Sequence, residues 1–322
     1  MLAHYQTTTS MIVRLGARRF SQHRALHLAT QLYPNREPAP NTKIVLVLHG
    51  LLGNRGNFKT AAKAIVNSTV QPWNAIMMDI RGHGKSPINP KSENTIFDAG
   101  KDVFDTVQHL TNGRGVDMVI GHSLGGKVAL AYLQEAMTMK SAHPPPKCTW
   151  VLDSIPGAID RKKASGSSSV RDVLNAVKNL PQPIASKKEL IRALTEEKGI
   201  AMGIAMWMTT NLNRSKNGEG FVFTFDVETA EDLFDSFSSV NFFPFLHELN
   251  ESSGKGKGKG KVEVHLLKAG LNDAWDDEAV KEELEKVEDG EVVRVHTLEK
   301  ANHWVHVDNL SGLVDLIKPS LE

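Results

Sequence analysis

Between Met118 and Leu130 the chain reads MVIGHSLGGKVAL, and no other stretch narrows the choice of fold as much. An apolar run stops at His122-Ser123, meets glycines at once and passes into a helical pattern. Gly121 and Gly125 stand two residues either side of Ser123, and Gly126 follows. G-x-S-x-G between a strand and a helix predicts a sharp, strained turn with the serine in a left-handed conformation. Residues two positions away must then lack side chains that would clash, and both are glycine. The third glycine allows tight helix–strand packing. The turn lifts the Ser123 hydroxyl above a sheet edge, where it is a candidate nucleophile.

The surroundings supply such a sheet. After the Pro-rich NREPAPN comes KIVLVLHG, a continuous aliphatic run of the kind that forms a strand buried on both faces. A helix is expected over 57–67, a strand in WNAIMMDIRGHG, a helix over 98–110, the strand VDMVIGHS, a helix over 125–139 and the strand CTWVLDSIPG. This alternation predicts an α/β fold with a mostly parallel central sheet flanked by helices. From about residue 158 the pattern turns helical, in VRDVLNAVKNL, SKKELIRALTEEKGIAMGIAMWMTTNL and AEDLFDSFSSV. Strand–helix alternation resumes at about residue 261. The expected organisation is a core in two parts, 38–157 and 261–322, with an inserted helical cap over 158–260. The cap ends in SSGKGKGKGKV, whose alternating Gly and Lys predict a solvated loop.

Composition excludes several classes. A formal charge of +1 over 322 residues gives no electrostatic footprint for nucleic acid. No apolar run is long enough for an integral membrane segment. Cys148 is the single cysteine, so an intrachain disulfide and a thiolate metal cluster are excluded. The segment 1–37 differs from the rest: Arg14, Arg18, Arg19, Arg24 and Arg36 accompany many hydroxyl residues, and no acidic residue precedes Glu37. This is the composition of a transit peptide, and RRFS resembles a matrix-processing site cut between Phe20 and Ser21. Mitochondrial matrix location is expected, with plastid or cytoplasm as alternatives.

A serine nucleophile needs a base, and histidine has a suitable pKa. His303 and His306, in EKANHWVHVDN, follow the last expected strand and so reach the same sheet edge as Ser123. His303 comes first and is the candidate base, while His306 is expected to pack near the site. A carboxylate must orient the imidazole. Asp153 in VLDSIPG and Asp273 in KAGLNDAW both stand at strand ends, and spacing leaves both open. Donors for a developing oxyanion are expected from the backbone N–H groups of Leu124, just after Ser123, and Leu51, in the turn LHGLLGN. Neither that turn nor DIRGHGKS has the spacing of a phosphate-binding loop, and Arg81 and His83 are read as braces for the strand-end loops. Met202, Met206, Trp207 and Met208 face a pocket or pack the cap on the core.

HGLLGN, DIRGHGKS, GHSLGGK and ANHWVH, in this order and spacing, resemble the α/β-hydrolase superfamily over residues 42–322. GHSLGGK, LDSIPG and NHWVHVDN are similar to a branch of small serine esterases, comprising bacterial acyl-ester hydrolases and mitochondrial α/β-hydrolase-domain relatives. In the wider superfamily the acid follows the strand after the cap, which points to Asp273; in this branch it matches the Asp of LDxxPG, which points to Asp153. The resemblance implies hydrolysis of a small-molecule acyl ester or thioester through an acyl-enzyme, with Ser123, His303 and Asp153 as the working residues and no metal or cofactor. A carbon–carbon hydrolase of the same fold shares this residue set. A non-catalytic binding protein on the same fold is the alternative from another class. The absence of tyrosine from the cap argues against epoxide opening.

Overall fold

The computed structural model describes residues 26–34, 42–88, 93–139, 142–159, 170–253, 262–288 and 290–322. The Arg-rich segment, the Gly/Lys linker and most of RKKASGSSSV lie outside the described residues. Nine strands and eleven α-helices follow in order among the described residues: β1 (Thr30–Tyr33), β2 (Lys43–Leu48), α1 (Lys59–Asn67), β3 (Trp73–Met78), α2 (Ile96–Leu110), β4 (Met118–His122), α3 (Leu124–Thr138) and β5 (Cys148–Leu152). Next come α4 (Val170–Lys178), α5 (Lys187–Arg192), α6 (Met202–Met208), β6 (Leu212–Arg214), β7 (Phe221–Phe223), α7 (Val227–Ser239) and α8 (Phe243–Ser253). The chain closes with β8 (Glu263–Ala269), α9 (Glu278–Glu288), β9 (Val293–Leu298), α10 (Val305–Asp308) and α11 (Leu310–Ile317).

Seven strands form one sheet in the order β1-β3-β2-β4-β5-β8-β9. Only β1 runs antiparallel, pairing with β3, and every other pairing is parallel. This is the expected fold class. The aliphatic runs explain the centre: every residue of β3, β4 and β5 is buried, so these strands need apolar side chains on both faces. On one face α2, α3 and α9 cover a core that includes Leu46, Val119, Val128 and Leu266; on the other α1 and α11 cover Val45, Ile120, Trp150 and Leu267. Helix α2 starts on a reciprocal cap, in which the Thr95 hydroxyl accepts from Asp98 N–H and the Asp98 carboxylate accepts from Thr95 N–H.

Residues 170–253 lie between β5 and β8 and differ from the helical block read in the sequence. They include an antiparallel hairpin, β6–β7, whose short Leu-Asn-Arg and Phe-Val-Phe strands carry too few residues to show a period of two. The long helical pattern before it is also broken. Helix α5 passes through a π-turn at Ala193–Glu197, and Gly199 at φ +67° separates it from α6. This segment has its own apolar core, around Val173, Leu190, Met208 and Phe223, and Leu52 from the turn after β2 inserts into it. Burying that one side chain contributes about 1.5–3 kcal/mol to holding the segment on the sheet edge.

A buried lysine ties the same parts together. Lys127, on α3, donates from Nζ to the carbonyls of Gly157 (2.7 Å), Phe237 (2.7 Å) and Val240 (2.8 Å). The helix that begins beside Ser123 therefore grips both the exit of β5 and the end of α7.

Candidate active site

The turn after β4 has the expected shape. Ser123 sits at φ +53°, ψ −121°, and α3 begins at the next residue. A Cβ on Gly121 would lie 2.1 Å from the Gly125 carbonyl oxygen, and one on Gly125 would lie 2.6 Å and 2.7 Å from the carbonyl oxygens of His49 and Leu48. Both clashes are with backbone, of the first turn of α3 in one case and of the end of β2 in the other. One on Gly126 would meet the Ser154 Cβ at 2.6 Å. The backbone of the turn is held by Ser123 N–H donating to Leu152 C=O (3.0 Å) and Gly126 N–H donating to Ser123 C=O (2.8 Å).

His303, in the loop between β9 and α10, comes within 3.1 Å of Ser123 Oγ through Nε2 and within 2.7 Å of Asp153 Oδ2 through Nδ1. The direction of both bonds follows from the carboxylate. Ionised Asp153 can only accept, so Nδ1 carries the proton, Nε2 of the neutral ring presents its lone pair, and the Ser123 hydroxyl donates. Burial alone would raise the Asp153 pKa. Hydrogen bonds from His303, Ala269 N–H and Trp275 outweigh it and hold the carboxyl below its ordinary value.

The environment of Asp153 separates the two carboxylates that the sequence left open. Asp153 is buried directly after β5, next to β8 in the sheet, and turns at φ +46°. Its Oδ1 accepts from Ala269 N–H (3.0 Å) and Trp275 Nε1–H (2.6 Å), and its Oδ2 accepts from Asn272 Nδ2 (2.8 Å) besides His303. Asp273 is exposed at the start of a short helical turn, while Nδ1 of His303 is taken by Asp153. The segment KAGLNDAW thus surrounds Asp153 with donors. Sequence reading missed Asn272 and Trp275 because their partner comes from a strand more than a hundred residues earlier.

The turn after β2 brings two further groups. Gly50 packs against His122 and Ser123, where an added Cβ would sit 3.3 Å from the Ser123 Cβ. Buried His49 donates from Nδ1 to Gly50 C=O (2.7 Å) and accepts from Ile80 N–H (3.0 Å). A trans peptide aims its N–H opposite its C=O, so fixing the Gly50 carbonyl also fixes the direction of the Leu51 N–H. Leu52 adopts φ +59°, costly for a bulky residue, and its N–H donates to His83 Nε2 (3.1 Å), while His83 Nδ1 donates to Arg81 C=O (2.9 Å). Burial pushes the His83 pKa down to about 3, so the ring stays neutral and able to accept. His83 therefore braces this turn. Arg81 pairs with buried Asp102 (2.6 Å), anchoring its loop to α2. Among the described residues the N–H groups of Leu51 and Leu124 meet no protein acceptor. The latter opens α3, where the helix dipole adds partial positive charge.

His122, given no role from sequence, donates from Nε2 to His303 C=O (2.7 Å) and so fixes the loop that carries His303. Burial first, then the neighbouring His303 and His306, hold its pKa well below 6.5, leaving a single ring proton for that bond. His306 lies in α10, separate from the last helix, and stacks on Phe58 with centroids 3.9 Å apart.

Ser123 and His303 open into a cavity of about 370 Å³, lined by Leu51 and Phe58 from the core and by Val173, Ile204 and Trp207 from the 170–253 segment. Trp207 meets Trp304, next to His303, at 5.8 Å between centroids. Of the residues read as pocket or packing groups, Trp207 lines the cavity and Met208 is buried in the segment's own core, while Met202 and Met206 are exposed. Among the described residues no group of three or more His, Cys, Asp or Glu could hold a metal ion, and no helix is long and apolar enough to cross a membrane.

Comparison with known proteins agrees with this architecture. A family model described as alpha/beta hydrolase fold matches residues 43–148. The sn-1-specific diacylglycerol lipase ABHD11 of Danio rerio is 38% identical over 86 residues, 27% of this chain and 25% of the relative. Esterase YbfF of Escherichia coli is 37% identical over 93 residues, 28% of this chain and 32% of the relative. The chain thus matches about a quarter to a third of the length of these relatives. The solved structure of a marine microorganism esterase has a TM-score of 0.69 at 18% identity, covering 90% of this chain and 98% of that one. That likeness is one of fold.

Proposed function

We propose that the chain, which has the α/β-hydrolase fold, is a serine hydrolase cleaving carboxylic esters, or thioesters, of small to medium acyl groups. One observation carries this reading above the others: the continuous hydrogen-bonded series from buried Asp153 through His303 to Ser123 Oγ, opening into a largely apolar cavity. The relatives named for lipase and esterase activity act on the same bond class.

In this mechanism Ser123 Oγ attacks the substrate carbonyl carbon as His303 Nε2 takes its proton. The N–H groups of Leu51 and Leu124 receive the negative charge that forms on the carbonyl oxygen. Asp153 stabilises the imidazolium, which protonates the departing alcohol or thiol, leaving the acyl group on Ser123. Water enters, gives its proton to His303 and attacks the acyl carbon; the acid leaves as Oγ is reprotonated. The cavity walls exclude bulk water and take up the acyl chain. Delivery to the mitochondrial matrix is proposed on the composition of residues 1–37.

The test is hydrolysis of p-nitrophenyl esters from acetate to long-chain by the full chain, beside Ser123→Ala, with mass analysis after a fluorophosphonate. Turnover lost in Ser123→Ala, and a single adduct on the peptide holding Ser123, are expected. Equal turnover in both proteins, or an adduct elsewhere, refutes the mechanism.

A further inference from the structure

We propose that His306 is a specificity-determining residue, whose Nε2–H donates a hydrogen bond to a second oxygen of the substrate, beyond the ester group that reacts. The proposal rests on the ester-hydrolase reading and names a substrate class for the same cavity: esters that carry an additional acceptor oxygen.

Four observations support it. His306 lines the cavity that holds Ser123 and His303, yet is more than nine-tenths buried. Its ring is fixed in place, stacked on Phe58 at 22° between planes and set edge-on to His122 at 5.1 Å between centroids. Its Nδ1 is buried without a partner, and among the described residues Nε2 also meets no protein group, so Nε2 is the nitrogen able to reach a ligand. Burial, with His303 alongside, pushes its pKa down to about 4, so at neutral pH the ring holds one proton. That proton belongs on Nε2. On Nδ1 it would leave a buried N–H with nothing to accept it, rarer and costlier than an unused lone pair.

A fixed, neutral donor in an apolar cavity discriminates by desolvation. Substrate entry displaces water from Nε2–H, and a substrate with no acceptor leaves it unsatisfied, while one with an ether, hydroxyl or carbonyl oxygen in reach restores the bond. The acceptor oxygen can belong to the acyl or to the alcohol part, and two pairs of isosteric esters separate these sources. p-Nitrophenyl methoxyacetate is compared with p-nitrophenyl butyrate, and 2-methoxyethyl butyrate with butyl butyrate. Each pair gives a ratio of kcat/KM, and comparing ratios between proteins cancels intrinsic reactivity.

The variants are His306→Phe, which keeps a flat ring on Phe58, His306→Leu should that ring crowd the site, and His306→Gln, whose amide keeps a donor. One of the two ratios is expected to fall about tenfold in the Phe or Leu variant, the value of one neutral hydrogen bond, and to stay within about threefold in Gln. Ratios unchanged within twofold in the Phe and Leu variants, even with overall activity lowered, would show that His306 only packs, and would overturn the proposal. Wild-type protein inactive on all four esters, or a Ser123→Ala variant as active as wild type, would overturn the ester-hydrolase reading and this assignment with it.

Discussion

Replacing Asp153 by Asn keeps size and removes one charge, and the surrounding donors determine the consequence. Asn Oδ1 can still accept from Ala269 N–H and Trp275 Nε1–H, so that is the orientation two existing donors enforce. The amide NH₂ then occupies the Oδ2 position, facing Asn272 Nδ2 and His303 Nδ1. Donor meets donor on both sides. Asn272 cannot turn over freely, because its Oδ1 accepts from Ala274 N–H (3.2 Å). His303 must therefore shift its proton to Nε2, and a protonated Nε2 cannot receive the Ser123 proton. In a serine protease a wrong tautomer of this kind lowers kcat by about 10⁴, some ~5 kcal/mol in the barrier. The expected loss here is about 10³–10⁴ in kcat for p-nitrophenyl ester hydrolysis, with little change in far-UV circular dichroism. Asp273→Asn, at an exposed position, is expected to stay within twofold. Asp153→Asn activity within tenfold of wild type, or an equal loss in Asp273→Asn, would refute the reasoning.

Other positions give sharp expectations. Gly125→Ala places a methyl against two backbone carbonyls that belong to the end of β2, and is expected to cost ~3 kcal/mol or more or to prevent soluble expression; a urea midpoint equal to wild type would contradict the close approach. Lys127→Met leaves the carbonyls of Gly157, Phe237 and Val240 without their common donor, for an expected loss of about 3 kcal/mol in urea unfolding, and a loss under about 1 kcal/mol would show the ammonium to be dispensable. Burial lowers the pKa of His265 to about 4, with a further push from His296 and Arg294, and that of His83 to about 3. Each folded value lies below the unfolded value near 6.5, so the unfolded chain takes up protons first as pH falls, and this stability is complete above about pH 6.5 and lost towards about pH 4 for His265 and about pH 3 for His83. Urea midpoints should fall between about pH 7.5 and 5, and less steeply in His265→Phe, which keeps the stack on Trp150; parallel slopes would remove His265 from the account.

How much of this was legible in the sequence depends on whether the cause was local. The turn at Ser123 was legible because its three glycines each answer a contact within the turn or with the strand ends beside it, and the buried strands because both faces of a parallel sheet demand unbroken aliphatic runs. The β6–β7 hairpin was not, since three-residue strands leave no period to read. His83 could be read as a brace from its place in the strand-end loop DIRGHGKS, but His49 could not be told from other histidines, because its work is to hold a loop through backbone groups that the sequence does not display. The choice between Asp153 and Asp273 needed a distance between strand ends, set by β5 and β8 being neighbours in the sheet although the whole 170–253 segment separates them. Yet KAGLNDAW held a usable signal. Its Asn and Trp are side chains that can donate, and a strand-end loop rich in donors is built to hold a carboxylate supplied from elsewhere; Asp273 among them is the acceptor out of place, and it faces solvent.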